Sequence, residues 1–424
     1  MKWVACIGCL WFYSLVICQE TITLQSCLDK AETNSLQTNS QLTSLRVSQV
    51  EKKFHWWSLL PDLSINTGFN ASFGRRLDPF TNTFATSTVN SQLFGLNSGM
   101  RLFNGFDYYY KRKKVLFSVQ RDELYVRAKQ NDLKIRVIET YSMLCKLSAQ
   151  IDLADLRIEK YHQLQSVQRL LIRESKINAV DTLKSYNSLL QEQALKSDLT
   201  TELKLNLIEL NFQIGLPLLT EHLFDAASIS AITEKPKFAE KFSVEILETE
   251  MKIAESQFKS DRSQILPSLT LNGLVGTGFS TNNKDYGLTG NPTKRYGDQL
   301  NQNLYEGIGF YLNIPIFSRG EWFKTKKLND IKQAELAQQQ QLLELTLEKQ
   351  RIGQMQKLLD NKAKQELIKQ TIENLQAIYQ KNLLLYEEGR INYTELQTAF
   401  MNWQVKLVEL EVLKLDHEYL KLVD

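Results

Sequence analysis

The chain has 424 residues and a formal charge of +3, from 51 Lys and Arg against 48 Asp and Glu. A dedicated nucleic-acid binder carries a marked basic excess, so this near-neutral balance argues against that class. With 43% hydrophobic residues and a mean hydropathy of −0.30, no apolar run beyond the first twenty residues is long enough for a transmembrane helix.

At the N-terminus Lys2 precedes an apolar run from Trp3 to Cys18, and Gln19-Glu20 follows. This order of charged, apolar and polar residues predicts a signal peptide over 1–18. A membrane anchor is the alternative, although the run is short for one. Cys18 as the modified cysteine of a lipoprotein is disfavoured, because Leu15-Val16-Ile17 puts no small residue before it. Loss of 1–18 removes Cys6, Cys9 and Cys18 and leaves Cys27 and Cys145. Two cysteines in an exported chain allow one disulfide but make no disulfide scaffold.

The mature chain reads as one unit written twice. The first repeat spans 19–215, with a short helix, a β-hairpin over 62–104 and a helix hairpin over 106–215. An equatorial linker over 216–241 follows. The second repeat spans 242–424, with a helix, a β-hairpin over 268–317 and a helix hairpin over 321–421. "LLPDLSINTGF" (59–69) matches "ILPSLTLNGLV" (265–275) at an offset of 206, whereas "GLNSGMRLFNG" (from Gly95) matches "GFYLNIPIFSRG" (from Gly309) at 214. "LLIRESKINAVDTL" (from Leu170) matches "LLYEEGRINYTEL" (from Leu384), also at 214. The second copy therefore carries extra residues between its first two landmarks.

The strands show a period of two. Leu63, Ile65, Thr67, Phe69, Ala71 and Phe73 alternate with Asp62, Ser64, Asn66, Gly68, Asn70 and Ser72. Phe94, Leu96, Met100 and Leu102 form the apolar set of the return strand. In the second copy Leu269, Leu271, Val275 and Phe279 share one face, as do Ile308, Phe310, Leu312, Ile314 and Ile316. The other face is Gly, Asn, Ser and Thr, a poor core and a suitable wet surface. A soluble half-buried sheet is the alternative. Asn104-Gly105 has the look of a hairpin turn, yet its counterpart Ser318-Arg319-Gly320 also closes a strand just before a long helix. Phe106 to Glu174 is 69 residues, about 100 Å at about 1.5 Å per residue. It holds neither glycine nor proline, and Ile135, Ile138, Tyr141, Leu144, Leu147, Ile151 and Leu153 recur at packing intervals.

An exported chain with amphipathic strands points to an outer-membrane barrel, because a sheet in lipid must close. Two strands per repeat make four per chain, too few to close alone. Three chains would pool twelve. The residues also resemble those of the TolC family of outer-membrane efflux proteins, in its Bacteroidetes type. "ITLQSCLDKAETNS" (22–35) resembles the family's opening helix, and "LLPDLSINTGF" the approach to its first strand. "FGRRLDPFTNTF" (73–84) is similar to an external loop, and "LYEEGRINYTEL" (385–396) to the helix turn at the periplasmic tip.

The resemblance implies an α+β membrane protein whose duplicated strand-hairpin/long-helix-hairpin unit forms, as a homotrimer, a 12-stranded β-barrel continuous with a 12-helix periplasmic α-barrel. It implies an exit duct for small molecules or secreted polypeptides, including type I secretion. The partners would be an inner-membrane transporter, a periplasmic membrane-fusion adaptor and outer-membrane lipid, with no nucleic acid. It implies no enzymatic activity and no cofactor. The tips Ser175, Lys176, Ile177, Asn178 and Gly389, Arg390, Ile391, Asn392 would meet the adaptor; ordinary helix-hairpin chemistry is the alternative, with Gly389 suited to a C-cap and the asparagines to N-caps. Asp181 and Glu395 would form a periplasmic gate of crowded carboxylates, against which stands a solvated acid at a helix start.

Trp56, Trp57, Tyr108, Tyr109, Tyr110, Trp322 and Phe323 flank the strands as an aromatic girdle at a membrane boundary. Lys111 to Lys114, with Lys324, Lys326 and Lys327, form a basic collar for lipid phosphates. Catalytic readings find no support: His55, His162, His222 and His417 lack metal-ligand spacing, and neither a P-loop nor a nucleophile elbow occurs. The rival from another class is an exported coiled-coil scaffold of the cell envelope.

Overall fold

Long stretches without glycine or proline become helices, and turn-formers separate them from the strands. The computed structural model describes residues 21–34, 38–77, 82–85, 88–173, 179–232, 239–388 and 390–423. The predicted signal segment 1–18 lies outside the described residues.

Strand β1 (Thr21–Ile22) and helices α1 (Leu24–Asn34) and α2 (Asn39–Phe54) lead to a 3-10 turn over His55–Leu59. Strand β2 (Asp62–Ser72), the short pair β3 (Arg76–Leu77) and β4 (Phe84–Ala85), and β5 (Val89–Asn104) follow. The first helix hairpin is α3 (Asp107–Arg173) and α4 (Ala179–Ile214). The connecting segment holds β6 (Leu223–Phe224) and α5 (Ala227–Ser230). The second copy comprises α6 (Ala239–Arg262), a 3-10 turn over Ser263–Ile265, β7 (Ser268–Ser280), α7 (Tyr296–Gln302) and β8 (Tyr305–Asn313). It ends in the hairpin α8 (Glu321–Glu387) and α9 (Tyr393–Val423).

The duplication is visible in these bounds. Helices α3 and α8 are both 67 residues long. Both ends of α8 lie 214 residues after those of α3 (107 to 321, 173 to 387), while β7 starts 206 after β2 (62 to 268). The β7–β8 connection, with α7, takes up the difference.

Each long helix opens on two successive left-handed residues. Gly105 and Phe106 have φ of 64° and 69°, and Arg319 and Gly320 have 51° and 75°. In register, Gly105 therefore matches Arg319 and Phe106 matches Gly320, so the glycine takes the first place in one copy and the second in the other. Neither site is a hairpin turn. At Gly105 a Cβ would lie 2.6 Å from the Ser263 carbonyl oxygen and 2.8 Å from Leu266 Cβ, so both conformation and space require glycine. Gly215, at φ 70°, ends α4 as a left-handed C-terminal residue, and Pro217 follows to stop the helix.

The chain forms two compact units, one from 42–125 and 244–342, the other from the remaining segments 1–41, 126–243 and 343–424. The first holds a four-stranded antiparallel sheet in the order β2-β5-β7-β8. Register puts Ile65 beside Leu96 and Leu96 beside Val275, and Met100 beside Leu271, which faces Phe310. One face is thus apolar across all four strands. The return strand departs from simple alternation at one point: a bulge between Arg101 and Phe103 pairs Phe103 with Leu269. Phe103, rather than the expected Leu102, therefore joins the apolar face, because the additional residue reverses the side-chain parity. Ile314 and Ile316 fall past the end of β8, where Pro315 has no N–H for the ladder. Beyond Gly276 the loop replaces β8 as partner of β7: Asn303 Nδ2 donates to the Gly278 carbonyl (2.7 Å), and the buried Gln299 accepts from the Ser280 amide (2.9 Å).

The second unit holds the main core. Cys27 and Leu28 of α1 pack with Val137, Ile138, Tyr141 and Leu144 of α3, Leu210 and Ile214 of α4, Ile229 of α5 and Leu415 of α9. Of the packing series along α3, Ile138, Tyr141, Leu144 and Leu147 are buried, and Ile135, Ile151 and Leu153 are half-buried. Tyr141 ties this core to the pairing of β1 with β6. Its hydroxyl donates to the Ile22 carbonyl (2.8 Å) and accepts from the Asp225 amide (3.1 Å). Its periodicity showed Tyr141 as packing; only the structure shows the buried hydroxyl as a three-way tie.

Candidate functional site

The sheet is open. Its edge strands are β2 and β8, each carrying a row of main-chain groups on the side away from the sheet. Its apolar face is uncovered at those edges: Ile65 is 78% exposed and Ile308 80%, and Leu63, Phe69, Phe310 and Leu312 are exposed as well. A long apolar edge strand open to water is an aggregation hazard unless something pairs with it. The opposite face carries Ser64, Asn66, Gly68 and Asn70 on β2, in register with Asn97, Gly95, Leu93 and Ser91 on β5. It is mainly small and polar, with Leu93 and Arg101 of β5, Leu274 of β7 and Tyr305 and Tyr311 of β8 as its larger side chains.

The strand–helix junctions bring aromatic residues together. Trp56 and Trp57 sit in the 3-10 turn that leads into β2, exposed and edge-to-face at 5.9 Å. Tyr108, Tyr109 and Tyr110 form the first turn of α3. Trp322 and Phe323 hold the same place on α8, and Phe323 is exposed. Each copy braces its junction against the segment preceding its strand: His55 stacks on Tyr108 at 4.8 Å, and Phe258 stacks on Trp322 at 5.7 Å. Basic side chains lie over these rings, Lys113 over Tyr109 (4.8 Å) and Arg262 over Trp322 (5.9 Å). Lys111 is paired with Asp107 at 2.7 Å.

At the hairpin tips Ser175, Lys176, Ile177, Asn178 and Gly389 lie outside the described residues, as does the side chain of Asp181, whose backbone is in α4. The second tip is described from Arg390 onward. Arg390 pairs with Glu388 (3.1 Å), Ile391 is half-buried and Asn392 is exposed. Asn392 Oδ1 accepts from the Glu395 amide at 2.8 Å, and Asn392 Nδ2 donates to the Glu395 carboxylate at 3.1 Å. Asn392 is therefore the N-cap of α9, and in the single chain Glu395 spends its carboxylate on that cap.

Helix α8 contributes a third surface. Leu328, Ile331, Leu342, Leu345, Ile352 and Leu359 are all exposed, recurring at intervals of three, seven and eleven, a coiled-coil spacing. Among the described residues nothing covers this stripe, although α8 meets α9 elsewhere, with Tyr379 stacked on Trp403 at 5.7 Å. Among the described residues no helix is long and apolar enough to cross a membrane, and no group of His, Cys, Asp and Glu is arranged to hold a metal.

The chain matches no protein-family model and no curated protein sequence. It is similar in structure to CusC, described in connection with transmembrane channel formation: TM-score 0.73, 14% identity, covering 96% of this chain and 91% of that one. VceC, an outer membrane protein of Vibrio cholerae, gives a TM-score of 0.71 at 14% identity over 94% of this chain and 95% of its own. The CmeC outer membrane channel of Campylobacter jejuni gives 0.71 at 16% identity, covering 94% and 84%. The resemblance to the TolC family read from the sequence holds at the level of the fold.

Proposed function

We propose that this protein is the outer-membrane exit duct of a tripartite export system. The observation that carries the reading is the four-stranded sheet, apolar on one face, whose edge strands β2 and β8 pair with no further strand among the described residues. In lipid such a sheet must close, and four strands are about half of the smallest bacterial barrel. Three copies would join β2 of one to β8 of the next. The twelve pooled strands would turn their apolar face to lipid and their small polar face to the bore. The same trimer would cover the apolar stripe of α8 and build the helical tube that crosses the periplasm. Fold similarity to outer-membrane channels over nearly the whole chain supports this arrangement.

The substrate would enter from an inner-membrane transporter through a periplasmic adaptor. The adaptor would dock on the tips at Ser175 to Asn178 and at Gly389 to Asn392. Small molecules and secreted polypeptides both suit such a duct, because the pump selects the cargo. Residues 1–18 would direct export. Asp181 and Glu395 of three chains would converge on one axis as an acidic ring that attracts cations. For Glu395 to serve, the trimer must leave its carboxylate facing the bore while Asn392 keeps the cap.

The test is the state of the full protein in cells. A heat-modifiable trimer in the detergent-extracted outer-membrane fraction is expected. A soluble, elongated single chain would sink the duct and favour the envelope scaffold. In planar bilayers Asp181→Asn with Glu395→Gln should raise conductance or abolish cation block, and unchanged recordings would remove the gate while leaving the duct.

A further inference from the structure

The two strand–helix junctions are equivalent in the repeat, yet they differ in charge. At the first, a cavity of about 240 Å3 opens between the end of α2 and the start of α3. Lys52, His55, Trp56, Tyr108, Arg112 and Leu116 line it, and no carboxylate does. His55 Nε2 donates to the Tyr108 carbonyl at 3.3 Å, which with the ring stacking fixes the imidazole as one wall. Asp107, at the start of α3, is engaged by Lys111 (2.7 Å) and by the Ser260 hydroxyl (2.5 Å). In the second copy the place of Lys52 is taken by Phe258, that of His55 by Asp261 and that of Arg112 by Lys326. There an acid stands in the aligned place of His55, and its carboxylate accepts a hydrogen bond from Gln257 (2.7 Å). In the first copy two permanent cations, Lys52 and Arg112, face one small cavity whose described lining holds no carboxylate.

We infer that this cavity binds the phosphate of an anionic phospholipid headgroup, which rests on the outer-membrane reading above. Lys52 and Arg112 supply donors of opposite character, a compact ammonium and a planar fork that matches a phosphate. The exposed indole of Trp56 and the half-open side chain of Leu116 (40% exposed) offer amphipathic and apolar surface beside the charges, which a free phosphate does not use and a glycerol backbone with its acyl chains does. The cavity stands where α2 turns toward β2 and where β5 passes into α3, the level at which headgroups would meet a barrel formed by these strands.

The test uses the purified full protein in detergent, with native mass spectrometry titrating phosphatidylglycerol, diacylglycerol and inorganic phosphate. At about a factor of five for each basic residue near a lipid headgroup, Lys52→Gln with Arg112→Gln should weaken phosphatidylglycerol retention about 30-fold. Diacylglycerol binding should stay unchanged. His55→Asp, which installs the acid of the second copy, should weaken retention in the same direction. The charge-preserving Lys52→Arg with Arg112→Lys should retain the lipid, which shows that the fold survives changes at both sites. Equal phosphatidylglycerol retention by the wild type and the double glutamine variant overturns the inference. Full displacement of the lipid by millimolar inorganic phosphate overturns the lipid as its source. Membrane fractionation of the wild type, run in parallel, reports on the outer-membrane reading separately.

Discussion

The two long helices have the same length and the same place in the repeat, but opposite surroundings. Ile138 of α3 is fully buried, whereas its counterpart Ile352 of α8 is 61% exposed. Cys145 is buried and its counterpart Leu359 is exposed. Among the described residues a dozen apolar side chains along α3 enter the interior, and along α8 only Leu336 does. The difference lies in what covers each helix. The first copy has α1, the β1–β6 pair and α5 folded over it, and α1 supplies Leu24, Cys27 and Leu28 to the core. Among the described residues the second copy has no equivalent cover on α8. One amphipathic pattern thus serves two ends, a core within the chain and, in the proposed trimer, an interface between chains.

This contrast can be broken most directly at the paired isoleucines. Ile138→Ala should cost about 2–5 kcal/mol by opening a cavity, read as a fall in the thermal midpoint of the purified protein. Ile352→Ala should leave the folding of a single chain within about 0.5 kcal/mol and lower instead the temperature at which the trimer band dissociates. Equal effects of the two on both readouts would erase the distinction between core and interface.

The junction glycines should differ next. Gly105→Ala adds a left-handed backbone penalty of about 1–2 kcal/mol to a clash of about 1–3 kcal/mol with Ser263 and Leu266. Gly320→Ala has open space around its Cβ and should show the backbone penalty alone. Urea denaturation of the two variants side by side tests the gap.

Tyr141→Phe should cost about 1–3 kcal/mol, because the Ile22 carbonyl and Asp225 amide lose a buried partner. Its counterpart Met355 is exposed, and Met355→Leu should move the same melting curve by less than about 0.5 kcal/mol.

The last effect appears only in alkaline solution, a dependence on pH carried mainly by buried groups of the first copy. Burial pushes the thiols of Cys27 and Cys145 up from 9.0 to about 12, and the Tyr141 hydroxyl from 10.0 to about 12. The native state therefore holds protons that the unfolded chain releases above pH 9. Stability is fully present below that pH and falls as pH rises toward 12. A thermal midpoint that declines over this window, less steeply in Cys27→Ala with Cys145→Ala, is expected. A slope unchanged by removing both thiols would assign the decline elsewhere. The native thiols should also resist a thiol reagent at pH 8, being buried and protonated.

Much of the fold was legible because its signals are local. Alternation over Leu63, Ile65 and Phe69 marked β2, and the absence of glycine and proline after Phe106 marked α3. The matching landmarks marked the duplication and the similarity of fold to outer-membrane channels. The bulge at Leu102 was not legible, since it arises from how β5 meets β7 rather than from β5 itself. Helix α7 and its buried Gln299 were missed for a similar reason: that glutamine is placed by the strand end it completes. Of the candidate sites, the aromatic junctions were readable as a cluster once the repeat was aligned. The cationic cavity was not, because Lys52 and Arg112 are sixty positions apart in the chain.

By itself, then, the sequence determined the periods, the turns and the repeat, which depend on each residue and its neighbours within a few positions. It also determined that four strands are too few to close. Tertiary structure decided which copy of an equal pattern is buried, and that Gly105 is held by space as well as by φ. Those outcomes depend on distances between segments remote in the chain, and no local period encodes which remote segment will arrive.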